Sequence, residues 1–144
     1  MNTVPKHTQE HILALARRCL LTPFRHQGRQ IGIGLDCAGV AFYILDQLGL
    51  PYTDLTGYPR TPYKGMLKAA MDAQPSLRPV ATPEPGDILL MRITRAPQHV
   101  AIYSGLIDGH PHIIHSYSTV EKVVEHVIDA DWRARIIQAY RITP

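Results

Sequence analysis

One segment limits the folds open to this chain more than any other. Cys37, Val40, Ala41, Ile44, Leu45 and Leu48 form an unbroken stripe at helical spacing, which starts directly after Asp36 and stops at Gly49, with Pro51 behind it. The pattern predicts a helix with one apolar face, capped by the Asp36 side chain and closed by Gly49 in a left-handed conformation. Gly28, Gly32 and Gly34 make a flexible approach to it. A second stripe, Ile12, Leu13, Ala16, Cys19 and Leu20, predicts a helix over about residues 8–21 with Thr8 as N-cap. Thr22-Pro23 ends it, because the residue before a proline avoids helical angles.

Residues 51–65, rich in Pro, Tyr and Gly, read as a loop, followed by a helix over about Lys64–Ala73 and a connector from Pro75 to Pro85. The remainder reads as strands at Asp87–Ile93, Gln98–Leu106, His110–Tyr117, Val123–Ile128 and Arg135–Ile142, with a short helical turn near Asp131-Trp132. Helices first and an antiparallel meander of about five strands afterwards predict one α+β domain over 1–144, with its helices packed on one sheet. Of the 144 residues 45% are hydrophobic and 19% charged, which is globular and not disordered composition. The net charge of +3 is too small and too scattered to predict a nucleic-acid partner. No apolar run approaches the roughly 18 residues a membrane span needs. Met1–Glu10 holds no apolar signal core, so synthesis in the cytoplasm without a signal peptide is expected.

Two cysteines do not make a disulfide framework. Cys19 lies on an apolar stripe and reads as a core thiol. Cys37 lies in the first turn of its helix, where unpaired N–H groups and the helix dipole favour a thiolate. Its own N–H points to where an oxyanion would form. The same position also fits a buried structural thiol, so a base is needed to decide. Of eight histidines, His99, His110, His112 and His115 fall in one predicted hairpin turning at Asp108-Gly109, while His7, His11 and His26 flank the first helix and His126 lies in a later strand. A two-residue turn would send His99 and His115 to opposite faces. A three-residue loop, Ile107-Asp108-Gly109, would set His99 opposite Tyr117 and Ala101 opposite His115. The two histidines then share a face as diagonal neighbours about 7–8 Å apart at Cα, within reach of each other. On that register His112 pairs with Ser104, and His110 and His112 are solvent-exposed.

The expected constellation is Cys37 as nucleophile, His99 as general base and His115 as the group that orients the base. A Cys/His/His zinc site is the competing arrangement, weakened because no carboxylate on the hairpin strands stands in view of the histidines to support it. No metal or organic cofactor is required.

These residues resemble a known family. Gly34-Leu35-Asp36-Cys37-Ala38-Gly39-Val40, Pro85-Gly86-Asp87-Ile88-Leu89-Leu90, His99-Val100-Ala101-Ile102-Tyr103 and Ile113-Ile114-His115 are similar, in order and spacing, to the motifs of the NlpC/p60 cysteine peptidases, which have a papain-like fold. Thr22-Pro23-Phe24-Arg25-His26-Gln27-Gly28 and Tyr58-Pro59-Arg60-Thr61-Pro62 resemble its phage-type branch, found with tail-tip and gene-transfer-agent proteins. The resemblance implies Cys37, His99 and His115 as the catalytic set. It implies peptidoglycan stem peptides as substrate, cut between γ-D-glutamyl and a diamino acid. Asp36 would then help to hold a charged group of the stem peptide. Phe24 stands where the family often has a tyrosine that assists the oxyanion or substrate, a role His26 or Gln27 could take. Ala38 replaces a frequent serine.

The segment 52–63 is expected to wall the cleft beside Cys37, with Tyr58 in that wall and Arg60 available for a substrate carboxylate. Three other functions compete with peptidoglycan hydrolysis: a tail-tip assembly protein of little activity, a thioester-forming amidase or acyltransferase, and a secreted antibacterial effector. Carriage in a phage tail, or another export route, would bring the protein to the cell wall.

Overall fold

The computed structural model describes residues 6–59, 65–93 and 97–143. In chain order these form α1 (Lys6–Arg18), β1 (Arg29–Gln30), β2 (Gly34–Leu35), α2 (Cys37–Gln47), α3 (Met66–Asp72), β3 (Leu77–Val80), β4 (Ile88–Arg92), β5 (Pro97–Ile107), β6 (His110–Tyr117), β7 (Lys122–Val127), α4 (Ala130–Arg135) and β8 (Ile136–Ile142). The fold is α+β. α2 begins where its cap predicts: the Asp36 carboxylate accepts from the Gly39 N–H at 2.9 Å. It ends at Leu48, with Gly49 left-handed at φ 70°. Its apolar face is the floor of the core. Phe42, Ile44 and Leu45 are 2%, 0% and 0% exposed, and each such burial stabilises by about 1.5–3 kcal/mol.

The described residues form a six-stranded sheet in the order β3-β8-β4-β5-β6-β7, with every neighbouring pair antiparallel. The expectation of about five strands in a meander is corrected at two points. β3 lies inside the expected Pro75–Pro85 connector, and β8 returns between β3 and β4. Pro79 hid β3 from a reading by strand propensity. A proline is tolerated there because β3 is an edge strand, paired among the described residues with β8 alone. The expected cap at Thr8 is also corrected: α1 already runs at Lys6, and Thr8 sits inside its first turn.

Alternation along the strands divides the core. Ile88, Leu90, Val100, Ile102 and Ile114 face α1, α2 and α3, whereas Leu89, Met91, Ala101, Ile113 and Ala139 form a second cluster with Ile128, Trp132 and Ile136.

The β5–β6 hairpin closes differently from the expected three-residue loop. Ile107 pairs with His110 across a two-residue turn, with Asp108 and Gly109 at φ 52° and 81°. Both residues left-handed is the type I′ geometry that Asp-Gly favours. The slip that rejoins the two histidines occurs inside the strand. His112 pairs with Gly105, not with Ser104 as expected, while Ile113 pairs with Tyr103, so Ser104 is the extra residue of a bulge. His110 is exposed, but His112 is partly buried. Gly105 sits at φ 84°, and a Cβ there would lie 2.7 Å from the Pro85 side chain. Gly105→Ala is therefore expected to cost about 1–3 kcal/mol, read as a lower denaturation midpoint. An unchanged midpoint would show that this bulge does not depend on the left-handed residue.

Candidate active site

The head of α2 is built on close backbone contacts. A Cβ at Gly39 would overlap the Gly28 carbonyl oxygen, and a Cβ at Gly28 would meet the Gly34 carbonyl. Glycine at these positions lets the strand-like approach lie against the first turn of the helix. Asp36 is held at the centre of this contact. It is 4% exposed, and its carboxylate accepts from the N–H groups of Gly39 and Gln27, from the Arg29 guanidinium at 2.8 Å and from the Tyr58 hydroxyl. Arg29 also donates to both carboxylate oxygens of Asp54 at 2.9 Å, to the Leu55 carbonyl and to the Tyr58 hydroxyl. Residues 54–58 are thereby tied to the helix head.

Cys37 opens into a cleft lined also by Phe24, His26, Asp36, Tyr58, His99 and Tyr117. Four of the expected site residues besides Cys37 thus meet at one place. The remaining three stand elsewhere. His115 lies behind His99. The Gln27 side chain donates to the Tyr58 carbonyl at 3.1 Å and accepts from the Gly57 N–H, bracing the loop. Arg60 lies outside the described residues. The ring of His26 is also engaged with the Tyr58 carbonyl, at 2.9 Å.

The two histidines of the hairpin meet as expected. His99 Nε2 lies 2.6 Å from His115 Nδ1. His99 and His115 are 5% and 0% exposed. Tyr117 stacks on the His115 ring at 5.3 Å, and Trp132 meets that ring edge-on at 5.1 Å. A third histidine extends the chain: His115 Nε2 lies 2.8 Å from His126 Nε2, and His126 Nδ1 lies 2.9 Å from the Val127 carbonyl. The ring nitrogens of His115 and His126 are thus all engaged. Among the described residues, no group of three or more His, Cys, Asp or Glu is arranged to hold a metal ion.

Electrostatics at the helix head differ from the expected lowered thiol. Burial pushes Cys37 up to about 12, and the Asp36 carboxylate adds to the rise. The N–H groups of Val100 and Ala38 and the Arg29 guanidinium oppose it without prevailing. Burial likewise pushes His99 down to about 3 and His115 down to about 2, with Arg135 and His126 acting further on His99. Each group resists a charge of its own, so the resting site is a neutral thiol beside neutral imidazoles. Moving the proton from sulfur to imidazole creates both charges together, and their attraction offsets part of the cost.

Sequence reasoning gave no role to His126, Trp132 or Arg29, and none to Tyr117 although it set that residue opposite His99. His126 pairs across from Ile113 on β7, so finding it required the register of a second hairpin. Trp132, the one tryptophan of the chain, was read only as part of a helical turn.

A model of a family described as NlpC/P60 matches residues 21–141. Among solved structures, the NlpC/p60 domain of the peptidoglycan hydrolase SagA superposes with a TM-score of 0.64 at 24% identity, over 93% of this chain and 98% of that one. A lipoprotein-like NLP/P60 protein from Staphylococcus aureus gives 0.68 at 18% identity, over 99% of this chain and 44% of its own. An NlpC/P60 family protein from Bacillus cereus gives 0.65 at 22% identity, over 99% and 43%. The chain therefore spans nearly all of the first and less than half of the other two. No curated protein matches the sequence.

Proposed function

The chain belongs to the NlpC/P60 family, and from that premise we propose that it is a cysteine peptidase of the bacterial cell wall. Its substrate is a peptidoglycan stem peptide, cleaved at an amide such as that between γ-D-glutamyl and a diamino acid. The observation that carries this reading is the meeting of Cys37, at the capped head of α2, with His99 in one cleft, while His99 is hydrogen-bonded to His115. The name of one neighbour, a peptidoglycan hydrolase, supports the substrate class.

The reaction begins with both groups neutral. The Cys37 proton passes to His99 as sulfur bonds to the scissile carbonyl carbon. The oxygen gains the electron pair and is stabilised by the Cys37 N–H, which as a first-turn donor has no carbonyl of its own helix to bind. His99 returns the proton to the departing amine as the C–N bond breaks. Water then attacks the thioester, gives its proton to His99 and releases the carboxylate, and the proton returns to sulfur.

Asp36 has all its hydrogen-bonding capacity engaged within the protein. Its contribution is to hold the helix head and the Tyr58 loop, with substrate contact left to the cleft faces of Tyr58, His26 and Phe24. The segments that resemble the phage-type branch support delivery in a phage tail. Tail genes beside this one would agree with that route, and an immunity gene would point to a secreted effector.

Incubation with purified muropeptides tests the reaction. A new free amine on the diamino acid and a new glutamyl carboxylate are expected, seen as a paired loss and gain of mass. Intact muropeptides after prolonged incubation with folded protein would refute the proposal.

A further inference from the structure

Three imidazoles in a row have a direction, and one backbone carbonyl sets it. A carbonyl oxygen only accepts, so the His126 nitrogen that meets Val127 must carry the hydrogen. In the neutral ring the other nitrogen, Nε2, is then bare and accepts, which makes His115 Nε2 the donor of the 2.8 Å contact. His115 Nδ1 is bare in turn, so His99 Nε2 donates the 2.6 Å contact. The nitrogen of His99 left without a proton is Nδ1, the one ring nitrogen of these three histidines that the relay leaves unengaged. A base needs that state.

We propose that His126 is a positioning residue, which through His115 keeps Nδ1 of His99 free of its proton, with the Val127 carbonyl as the fixed end of the relay. This deepens the peptidase reading and rests on it for its consequence in catalysis, though not for the tautomers themselves.

The arrangement also gives the positive charge somewhere to go. When His99 Nδ1 takes the thiol proton, the Nε2 proton of His99 can pass to His115 Nδ1, and the Nε2 proton of His115 to His126 Nε2. His99 and His115 end neutral and His126 carries the charge. His99 and His115 are buried, whereas His126 is partly exposed, and its ring lies 5.3 Å from that of Trp132. Among the described residues, these groups face it. From β6 it faces His115, with His112 one ladder position away opposite Val127. From α4 it faces Trp132, on which Arg135 lies at 4.7 Å. On β7 itself, Glu125 is bound by Arg17 of α1 at 2.9 Å. Among the described residues no carboxylate is hydrogen-bonded to the relay.

Acid reverses the direction. His126 protonated on both nitrogens donates to His115 Nε2, His115 then donates from Nδ1 to His99 Nε2, and the proton of His99 is forced onto Nδ1. The base is then occupied.

Two substitutions separate direction from mere packing. In His126→Gln the amide oxygen accepts from His115 and the amide nitrogen donates to Val127, so the direction survives without an imidazole. In His126→Phe the ring shape survives and the acceptor is lost. Long-range proton–nitrogen NMR of the imidazoles in the resting protein is expected to find hydrogen on Nε2 of His99 and His115 and on Nδ1 of His126. His126→Gln should keep the first two, hold kcat/KM within about threefold, and move the acid limb of kcat to lower pH. His126→Phe should lower kcat by about tenfold or more with little change in KM. Hydrogen on Nδ1 of His99 at neutral pH, or equal activity and equal pH profiles in all three proteins, would overturn the proposal. If His126→Phe does not fold, the NMR assignment and the acid limb of His126→Gln still decide it. The NMR result holds or fails whether or not muropeptides are cleaved, so failure of the relay and failure of the peptidase reading are told apart.

Discussion

Cys37→Ala is expected to lower muropeptide cleavage by at least about 10³-fold, the scale of loss when a nucleophile acting within a catalytic unit is removed. Folding should survive. The cap of α2 comes from Asp36 and not from Cys37. Alanine is a better helix former than cysteine, and the residue replaced is half-buried and borders the cleft. Cys19 supplies the contrast. It is 0% exposed, and its thiol is directed to the Leu15 carbonyl at 3.8 Å. Burial pushes that thiol up to about 12 as well, and among the described residues no titratable group acts on it. Cys19→Ala should therefore change the denaturation midpoint and leave kcat/KM nearly unaltered. Parental activity in Cys37→Ala would remove the nucleophile from the account.

The largest stability effect is expected at Asp36. Asp36→Ala removes the cap of α2 and the acceptors of the Gln27 N–H and the Tyr58 hydroxyl, and it leaves the Arg29 guanidinium without its nearest charge. Breaking a buried pair from one side costs about 3–5 kcal/mol. Arg29 keeps Asp54, which places this case near 3 kcal/mol by the same reasoning. Asn is not a substitute, because its amide hydrogens would face donors at Gln27 and Tyr58. Chemical denaturation measures the loss. Asp54→Ala serves as the control: its carboxylate is 34% exposed, and a pair at that exposure contributes about 1 kcal/mol or less. If Asp36→Ala and Asp54→Ala cost the same, Asp36 does not hold the helix head.

How much of this could be read in the chain varies from element to element. α2 was legible because cap, stripe and stop agree over one short stretch, and β6 because alternation and the Asp-Gly turn bracket it. The meeting of His99 and His115 was legible as a requirement, though the device that produces it was not. Counting along the strands shows that one residue must be gained between turn and site, and loop length offers the simplest place for it. Gly105 was the available sign that the extra residue lies in the strand. His126 was out of reach for a different reason. Its place depends on the β6–β7 register, which no local pattern between Tyr117 and Lys122 announces. Arg29 read as one more cation in a glycine-rich approach, and only the fold turns it toward a buried carboxylate. The direction of the Cys37 shift was misjudged because the helix dipole is visible in sequence while burial of the thiol is not.

The most direct test of the account is to find where the substrate's acyl group is carried during turnover. The protein is mixed with muropeptide, quenched in acid before the first turnovers are complete, and digested for peptide mass mapping. The account predicts a thioester-linked acyl group on the peptide that contains Cys37, absent from Cys37→Ala. An acyl group on Cys19 or any other residue, or undiminished cleavage by protein already alkylated at Cys37, would contradict it.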